Sequence, residues 1–475
     1  MDLIKNKENR YLNFYSVFCI ALVIIGVFYT CLHFSKVEFS DFNVLEFVVY
    51  MIVVLLPLFL IGYYGIRSVL KENKNRKFKI SIICTSLFIV FVGSILMMYI
   101  KSHDYTTFLK LWYDAYSEGN IIDALGKILE TSNYSPIYNY WLIICAQLHI
   151  PAILGIKYFT FLFSLLLSFV VTKIICFINK EKFNYVLFSI IMIVPCIFIE
   201  YTSWGQCDAI YTSLALLGFY FALKKKSKLS FMFIGLSFAF KLQFLFIVPV
   251  MFLMLILKDN SGEKYLKWKD LWIATLMYVV NLLPVIAGES LVDLVLVYFN
   301  QASYDNRLSG ECANLCYLVQ CICQLLEGNG NVDASNTIYT ISLYSCIIIT
   351  IVILVLLLVH FIKKYKTGVN PNELVFIGLL FSFVMVFFMP KMLDRFYYIA
   401  VMLSIVNMMV NRDKINTVIC LLMNMSLAIV MTGFILMNVS FAIQVINMSV
   451  AIVAMIAALV LVFVKIMRKE RQNLN

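Results

Sequence analysis

Long apolar runs alternate along the whole chain with short connectors rich in lysine and arginine. The runs fall near 11–34, 44–66, 80–100, 151–178, 184–203 and 209–223, then 229–257, 271–287, 338–362, 373–389, 396–410, 416–437 and 441–466. A helix needs about 20 apolar residues to cross the hydrocarbon core of a bilayer, so runs of this kind predict membrane-spanning helices. The first run follows Lys5, Lys7 and Arg10, is too long for a signal-peptide core and lacks a small-residue cleavage site. It is expected to remain as an anchor. The predicted fold class is therefore all-α, a polytopic transmembrane helical bundle of about 12 spans.

The run 229–257 sets the topology. Lysines and arginines accumulate on the cytoplasmic side of membrane proteins. The basic clusters here are Arg67 to Lys79, Lys224 to Lys228, Lys363 to Lys366, Arg412 with Lys414, and the tail Lys465 to Arg471. All of them, with the N-terminus, share the cytoplasmic side only if 229–257 returns to the side it started from. The run is too short for two crossings at about 20 residues each. A re-entrant hairpin turning near Lys241 is expected. Both termini are then cytoplasmic, and two long loops, about 101–150 and 288–337, lie outside. The second carries Arg307 as its single basic residue among several acidic ones.

The first outer loop is itself patterned. Phe108, Trp112 and Tyr116 recur on one helical face and Lys110, Asp114 and Glu118 on another. That pattern predicts an amphipathic helix whose aromatic stripe suits the membrane interface. A short helix near 121–130 follows, and then one opened by Pro136 with Ser135 as its cap. The loop reads as a helical lid lying flat on the outer leaflet. Three regions result: 1–79, two spans and a basic loop; 80–400, the core with both outer loops; and 401–475, the last spans and a basic tail.

Composition agrees with the pattern. Of the 475 residues 62% are hydrophobic and 14% charged, with a mean hydropathy of +0.91. Soluble domains sit nearer 45–50% apolar and about 25% charged. The formal net charge of +11 comes from the connectors. It speaks for orientation and for contact with membrane lipids, and for no nucleic-acid partner. The four histidines are scattered, and Cys312, Cys316, Cys321 and Cys323 lack paired zinc spacing, so packing of a loop helix is expected there. No Gly-rich phosphate loop is present. No cofactor is called for, and a divalent metal is not indicated.

Four polar tips carry candidate chemistry. Asp104 follows the span 80–100, where its carboxylate can act as a general base toward a hydroxyl or cap the helix starting at Tyr105. Trp204-Gly205-Gln206-Cys207-Asp208 joins two spans, the second of them short. An acid and an amide at that depth mark a site unless Asp208 simply caps a turn. Phe240-Lys241-Leu242-Gln243 places a cation and an amide at the hairpin apex, suited to a phosphate oxygen. Pro390 to Tyr397 contains Asp394 and Arg395. Arg395 can hold a phosphate or close a turn by pairing with Asp394.

In this order the motifs resemble those of the GT-C superfamily of polyprenyl-phosphate-sugar glycosyltransferases, in particular the bacterial family related to the second mannosyltransferase of GPI-anchor synthesis. The resemblance covers about 80–400. It rests on Asp104 with Phe108 and Trp112, on Asn133-Tyr134-Ser135-Pro136-Ile137-Tyr138, on Trp204 to Asp208 and on Phe240 to Gln243. Tyr298, Gln301 and Ala313-Asn314-Leu315 look like the family's later outer loop. The family's late tip reads Met-His-Glu-Arg-Tyr, whereas this chain has Met392-Leu393-Asp394-Arg395-Phe396.

The resemblance implies a GT-C-type catalytic core and an inverting transfer of a hexose, mannose in the namesake, from a polyprenyl-phosphate-linked sugar donor to an extracytoplasmic acceptor. Asp104 would be the catalytic base. Lys241 and Arg395 would face the donor phosphate, with Gln206, Asp208 and Gln243 shaping the sugar pocket and Tyr134, Asp394 and Asn314 among the substrate-binding residues. A transporter or flippase for a lipid-linked glycan, and a surface-polysaccharide polymerase, are the alternatives from other classes.

Overall fold

A computed structural model describes residues 44–72, 75–127, 129, 132, 134–286, 297–298, 307–326, 337–435 and 441–474. The expected first span 11–34, Asn133, Gln301 and much of the second outer loop lie outside these residues. Among the described residues the chain is helical, with isolated bridges and no strand. Six helices among the described residues are long and apolar enough to cross a membrane: Arg76–Leu96, Ala152–Ile178, Thr337–Lys364, Pro371–Phe388, Lys414–Gly433 and Ile443–Arg468. A seventh is reached if Tyr185–Met192 and Pro195–Trp204, bent by 56° at their junction, form one span. The apolar helices Asp208–Leu223, Ser227–Phe240, Leu242–Ile256 and Leu315–Leu325 are too short to span about 30 Å at 1.5 Å per residue.

The chain forms two compact units, Met1–Ser132 with Tyr138–Ser213, and Asn133–Ile137 with Leu214–Asn475. The first unit contains α1 (Val44–Leu70), α2 (Arg76–Leu96), α3 (Lys110–Ser117) and α4 (Ile121–Leu125). It also holds most of α5 (Pro136–Gln147), then α6 (Ala152–Ile178), α7 (Tyr185–Met192), α8 (Pro195–Ile199) and the start of α9 (Asp208–Leu223). Asn184 opens α7 by accepting from the Leu187 N–H at 3.1 Å. Val194 precedes Pro195, and a residue before proline is steered out of the α region, which breaks the apolar run 184–203 into its two bent pieces. α2 packs on α1 and α7, and α6 packs on α7 and on the π-helical turn Glu200–Trp204.

The first-loop helix behaves differently from expectation. Trp112 and Tyr116 are buried, and Tyr113 donates its hydroxyl to the Cys145 carbonyl at 3.0 Å while Gln147 reaches the Tyr116 carbonyl at 2.9 Å. The aromatic stripe is thus docked on α5, and the outward face carries Leu111 and the exposed Lys110–Asp114 pair. Large aromatic faces gain more from protein contact than from a wet interface, so the lid packs inward rather than lying open on a leaflet. The predicted helix near 121–130 is the short α4, capped by Asn120.

In the second unit, α10 (Ser227–Phe240), a 3-10 stretch Leu242–Ile247 and α11 (Val248–Ile256) make up the region of the expected hairpin. They are followed by α12 (Trp272–Ile286), α13 (Leu315–Leu326), α14 (Thr337–Lys364), α15 (Pro371–Phe388), α16 (Tyr398–Asn411), α17 (Lys414–Ile435) and α18 (Phe441–Leu474). Lys225 stands 2.5 Å from the Asp259 carboxylate and also pairs with Glu263, and the Lys267 N–H reaches Ser227 Oγ at 3.0 Å. The segment therefore leaves and returns at one end of the unit. Its arms splay: α10 lies on α12, whereas α11 lies on α14 and α15. Gly235 permits the first contact, since a Cβ there would stand 2.4 Å from the Ala274 carbonyl oxygen.

The other basic connectors of this unit gather at that same end. Val369 N–H donates to Lys258 O, Asn411 Nδ2 to Asn372 O, and Lys465 Nζ to Asp413 Oδ2 at 2.8 Å. Pro371–Phe388 is the most enclosed span and Thr337–Lys364 the most exposed, which puts α15 inside the unit and α14 at its apolar surface. Cys316, Cys323 and Cys346 sit with Leu308 and Tyr339 in one apolar cluster, so these thiols pack the α13–α14 contact.

Candidate functional site

In the first unit the chain after α2 and the turn before α9 converge. Asp104 is 7% exposed, and its Oδ2 accepts from Trp204 Nε1 at 2.8 Å and from Gln206 Nε2 at 2.7 Å. The cap role is taken by its neighbour. Asp104 has helical backbone and makes no side-chain cap bond, while Ser102 Oγ accepts from the Tyr105 N–H at 3.1 Å. Ser102 also donates to the Trp204 carbonyl at 2.9 Å, tying the two segments together. Freed from capping, the Asp104 carboxyl group is buried and oriented by two side-chain N–H donors.

Two ionisable residues build the floor. Lys157, fully buried on α6, donates to the carbonyls of Ile100 and Thr202, the latter at 2.9 Å. Gly205 adopts φ +76°, and a Cβ there would lie 3.1 Å from Lys157 Cγ, so the turn that presents Gln206 needs a glycine for both reasons. Glu200, also fully buried, accepts from the Asp208 N–H at 3.1 Å and so caps α9 from outside the helix. Asp208 opens α9 at 0% exposure. Thr160 Oγ1 holds the Gln206 carbonyl at 2.9 Å.

Sequence reasoning missed Ser102, Lys157 and Glu200. The signal for two of them was present. Lys157 stands a few residues inside the run 151–178 and Glu200 near the end of 184–203, and ionisable groups inside apolar spans mark functional or architectural sites.

In the second unit Lys241 is the single extended residue between α10 and the 3-10 stretch, with φ −159° and ψ 141°. It is 2% exposed, and its Nζ lies 5.7 Å from the Tyr134 ring centroid and 5.6 Å from that of Phe396. Both distances suit cation–π attraction. Gln243 follows at 8% exposure, and its Oε1 is buried without a hydrogen-bond partner. Ser135 accepts from Asn281 Nδ2 at 3.2 Å, next to the start of α5 at Pro136. Beside Lys241, Phe238 stacks on Tyr278 at 4.5 Å and on Tyr298 at 5.3 Å.

The late tip, 389–397, is stitched to the segment 308–313. Lys391 N–H donates to Leu308 O at 2.7 Å, Gly310 N–H to Met392 O at 2.9 Å, and Tyr397 Oη to Ala313 O at 3.1 Å. Arg395 Nη1 stands 3.6 Å from Asp394 Oδ1, with both side chains buried. The turn-closing pair is therefore formed. Asn314 is wholly committed to architecture: its Nδ2 donates to Val386 O and its Oδ1 accepts from Tyr317 N–H at 2.9 Å. Burial raises the Cys312 thiol pKa well above its usual value, with Asp394 adding to the shift.

The structure thus joins Asp104 directly to Gln206, with Asp208 held by Glu200 nearby. Separately, it joins Lys241 directly to Tyr134 and to Phe396 of the Asp394–Arg395 tip. Among the described residues no group of three His, Cys, Asp or Glu side chains is placed to hold a metal. No protein-family model matches the chain, and no curated protein matches its sequence.

Proposed function

We propose that the chain is an inverting membrane glycosyltransferase of GT-C type that transfers a hexose from a polyprenyl-phosphate-linked sugar to an extracytoplasmic glycan, lipid or polymer acceptor. The observation that carries this reading is the buried Asp104 carboxylate, relieved of capping by Ser102 and oriented by Trp204 and Gln206. Asp104 takes the proton of the acceptor hydroxyl as that oxygen bonds to the anomeric carbon. The bond from that carbon to the phosphate oxygen breaks, and the polyprenyl phosphate leaves with the electron pair. Lys241 meets the charge that develops on the leaving phosphate, with Gln243 beside it and Arg395 at the adjoining tip. In this reading the chain crosses the membrane about 12 times with both termini cytoplasmic. The splayed excursion 227–257 is its re-entrant element. Its return beside Lys225 supports this, because it lets all the basic connectors share one side.

The test uses purified protein and a radiolabelled polyprenyl-phosphate hexose. Wild type is expected to transfer label to an acceptor. Asp104→Asn should keep its unfolding temperature and lose transfer by about 10²–10⁴-fold, the usual contribution of a general base. Movement of the donor between leaflets without transfer would replace this reading by a flippase. Turnover near wild type in Asp104→Asn would remove the base.

A further inference from the structure

Away from both clusters, a groove of about 740 Å³ runs along α1 of the first unit. One face of that helix lines it from Leu58 to Lys71, with Leu87 of α2 on the far wall. At 1.5 Å rise per residue this is a channel about 20 Å long. Its floor is Leu58 and Gly62, both buried, and its rim is Phe59 and Tyr63, both exposed. A Cβ at Gly62 would stand 3.2 Å from Leu87 Cδ1, so the glycine lets Leu87 of α2 lie close against α1 there.

The two ends of the channel differ in charge. The Leu58 end is apolar, while Arg67 and Lys71 both line the other end. Glu72 is the acid closest in sequence, and it is engaged by Lys79. Neither Arg67 nor Lys71 forms an ion pair among the described residues; Arg67 only approaches the Tyr63 hydroxyl at 3.5 Å. A half-bilayer is about 15 Å of hydrocarbon, so the channel has the length of one acyl chain and its cationic end stands where a head group would lie. A tyrosine at that depth is the usual interfacial residue.

We propose that this groove holds one anionic phospholipid, an acyl chain along α1 and its phosphate on Arg67 and Lys71. Charge complementarity selects the occupant. The chain's own apolar run 11–34 is preceded by Lys5, Lys7 and Arg10, and would bring like charge to the cationic end. The site is independent of the transfer reaction, since none of its residues belongs to the Asp104 or Lys241 clusters.

The full-length protein is placed in nanodiscs of equal phosphatidylglycerol and phosphatidylcholine, extracted in mild detergent, and weighed by native mass spectrometry. One retained phosphatidylglycerol per chain is expected, with phosphatidylcholine far behind. The double variant Arg67→Gln/Lys71→Gln should lower retention by about fivefold for each charge removed. Gly62→Leu should empty the groove with both charges kept. Unfolding temperatures of both variants report whether they fold. A photoreactive residue at Phe59 should yield an adduct of lipid mass. Equal retention of the two lipids, retention unchanged in both variants, or a crosslink to residues 11–34 overturns the proposal.

Discussion

Lys157 in the first unit and Lys241 in the second are both buried, and they are held in different ways. Lys157 in the first unit is fully enclosed and donates to two backbone carbonyls, Ile100 and Thr202, so its donors serve the chain itself. Lys241 in the second is enclosed as deeply but lies between the faces of Tyr134 and Phe396. Carbonyls fix a lysine by directional hydrogen bonds, whereas ring faces attract it through its charge. The first arrangement is a clamp on the Asp104 segment. The second sets a cation against two ring faces. Equal burial thus accompanies two different surroundings.

The sharpest way to break this contrast is to replace each lysine by methionine, which keeps the stem and removes the charge. Lys157→Met strands two buried carbonyls at about 1–3 kcal/mol each. It should lower the unfolding temperature most, and transfer should fall with it because Asp104 loses its support. Lys241→Met removes cation–π attraction worth about 2 kcal/mol. It should lower the unfolding temperature less than Lys157→Met does, while transfer drops by about 10²–10³-fold. Should both variants melt alike, or should Lys241→Met unfold and Lys157→Met stay active, the division between clamp and charge would be wrong.

A smaller effect tests the clamp's purpose. Trp204→Phe keeps the buried ring and deletes the Nε1–H that reaches Asp104. Removing one hydrogen bond to a charged group costs about 1.5–3 kcal/mol. Transfer should therefore fall roughly tenfold or somewhat more, with KM for the donor little changed, because the lost bond orients the base and does not touch the phosphate. A variant equal to wild type would mean that Gln206 alone positions Asp104.

The two lysines also show what a single sequence can yield. Lys241 was legible because it interrupts the middle of the run 229–257, where nothing apolar explains a charge. Lys157 lies close to Pro151 at the start of its run, where a lysine reads as one that snorkels to the interface. Its carbonyl partners come from residues 57 and 45 positions away in sequence, and such pairings leave no periodic trace. The same limit applies to Asp104, whose rival role as a cap fell to Ser102 through a local backbone choice. The helical class and the apolar runs followed from hydropathy, because every backbone group in lipid must be bonded within its own segment. The 56° bend at Val194 and the inward docking of Trp112 did not, since both depend on which neighbour is present.

The smallest expected effect concerns the end where the basic connectors gather, and it separates that end from the clusters of buried groups. Lys225 hydrogen-bonds Asp259 and Glu263, which raises its pKa from 10.5; the same contact, with Ser261 next, holds Asp259 below its usual 3.8. A depressed acid contributes stability that is fully present above its unfolded value and is lost as pH falls through the folded one. A raised lysine contributes stability that is present below its unfolded value and is lost as pH rises through the folded one. The connector should therefore be insensitive to pH across the range between about 4 and about 10, and should loosen only below or above it. Both partners are partly exposed, so screening keeps the effect small and salt-dependent. Asp259→Asn should flatten the acid limb of a thermal-unfolding profile and leave transfer at neutral pH unchanged. An acid limb that persists in Asp259→Asn would assign it to other carboxylates and detach this pairing from the return of the 227–257 excursion.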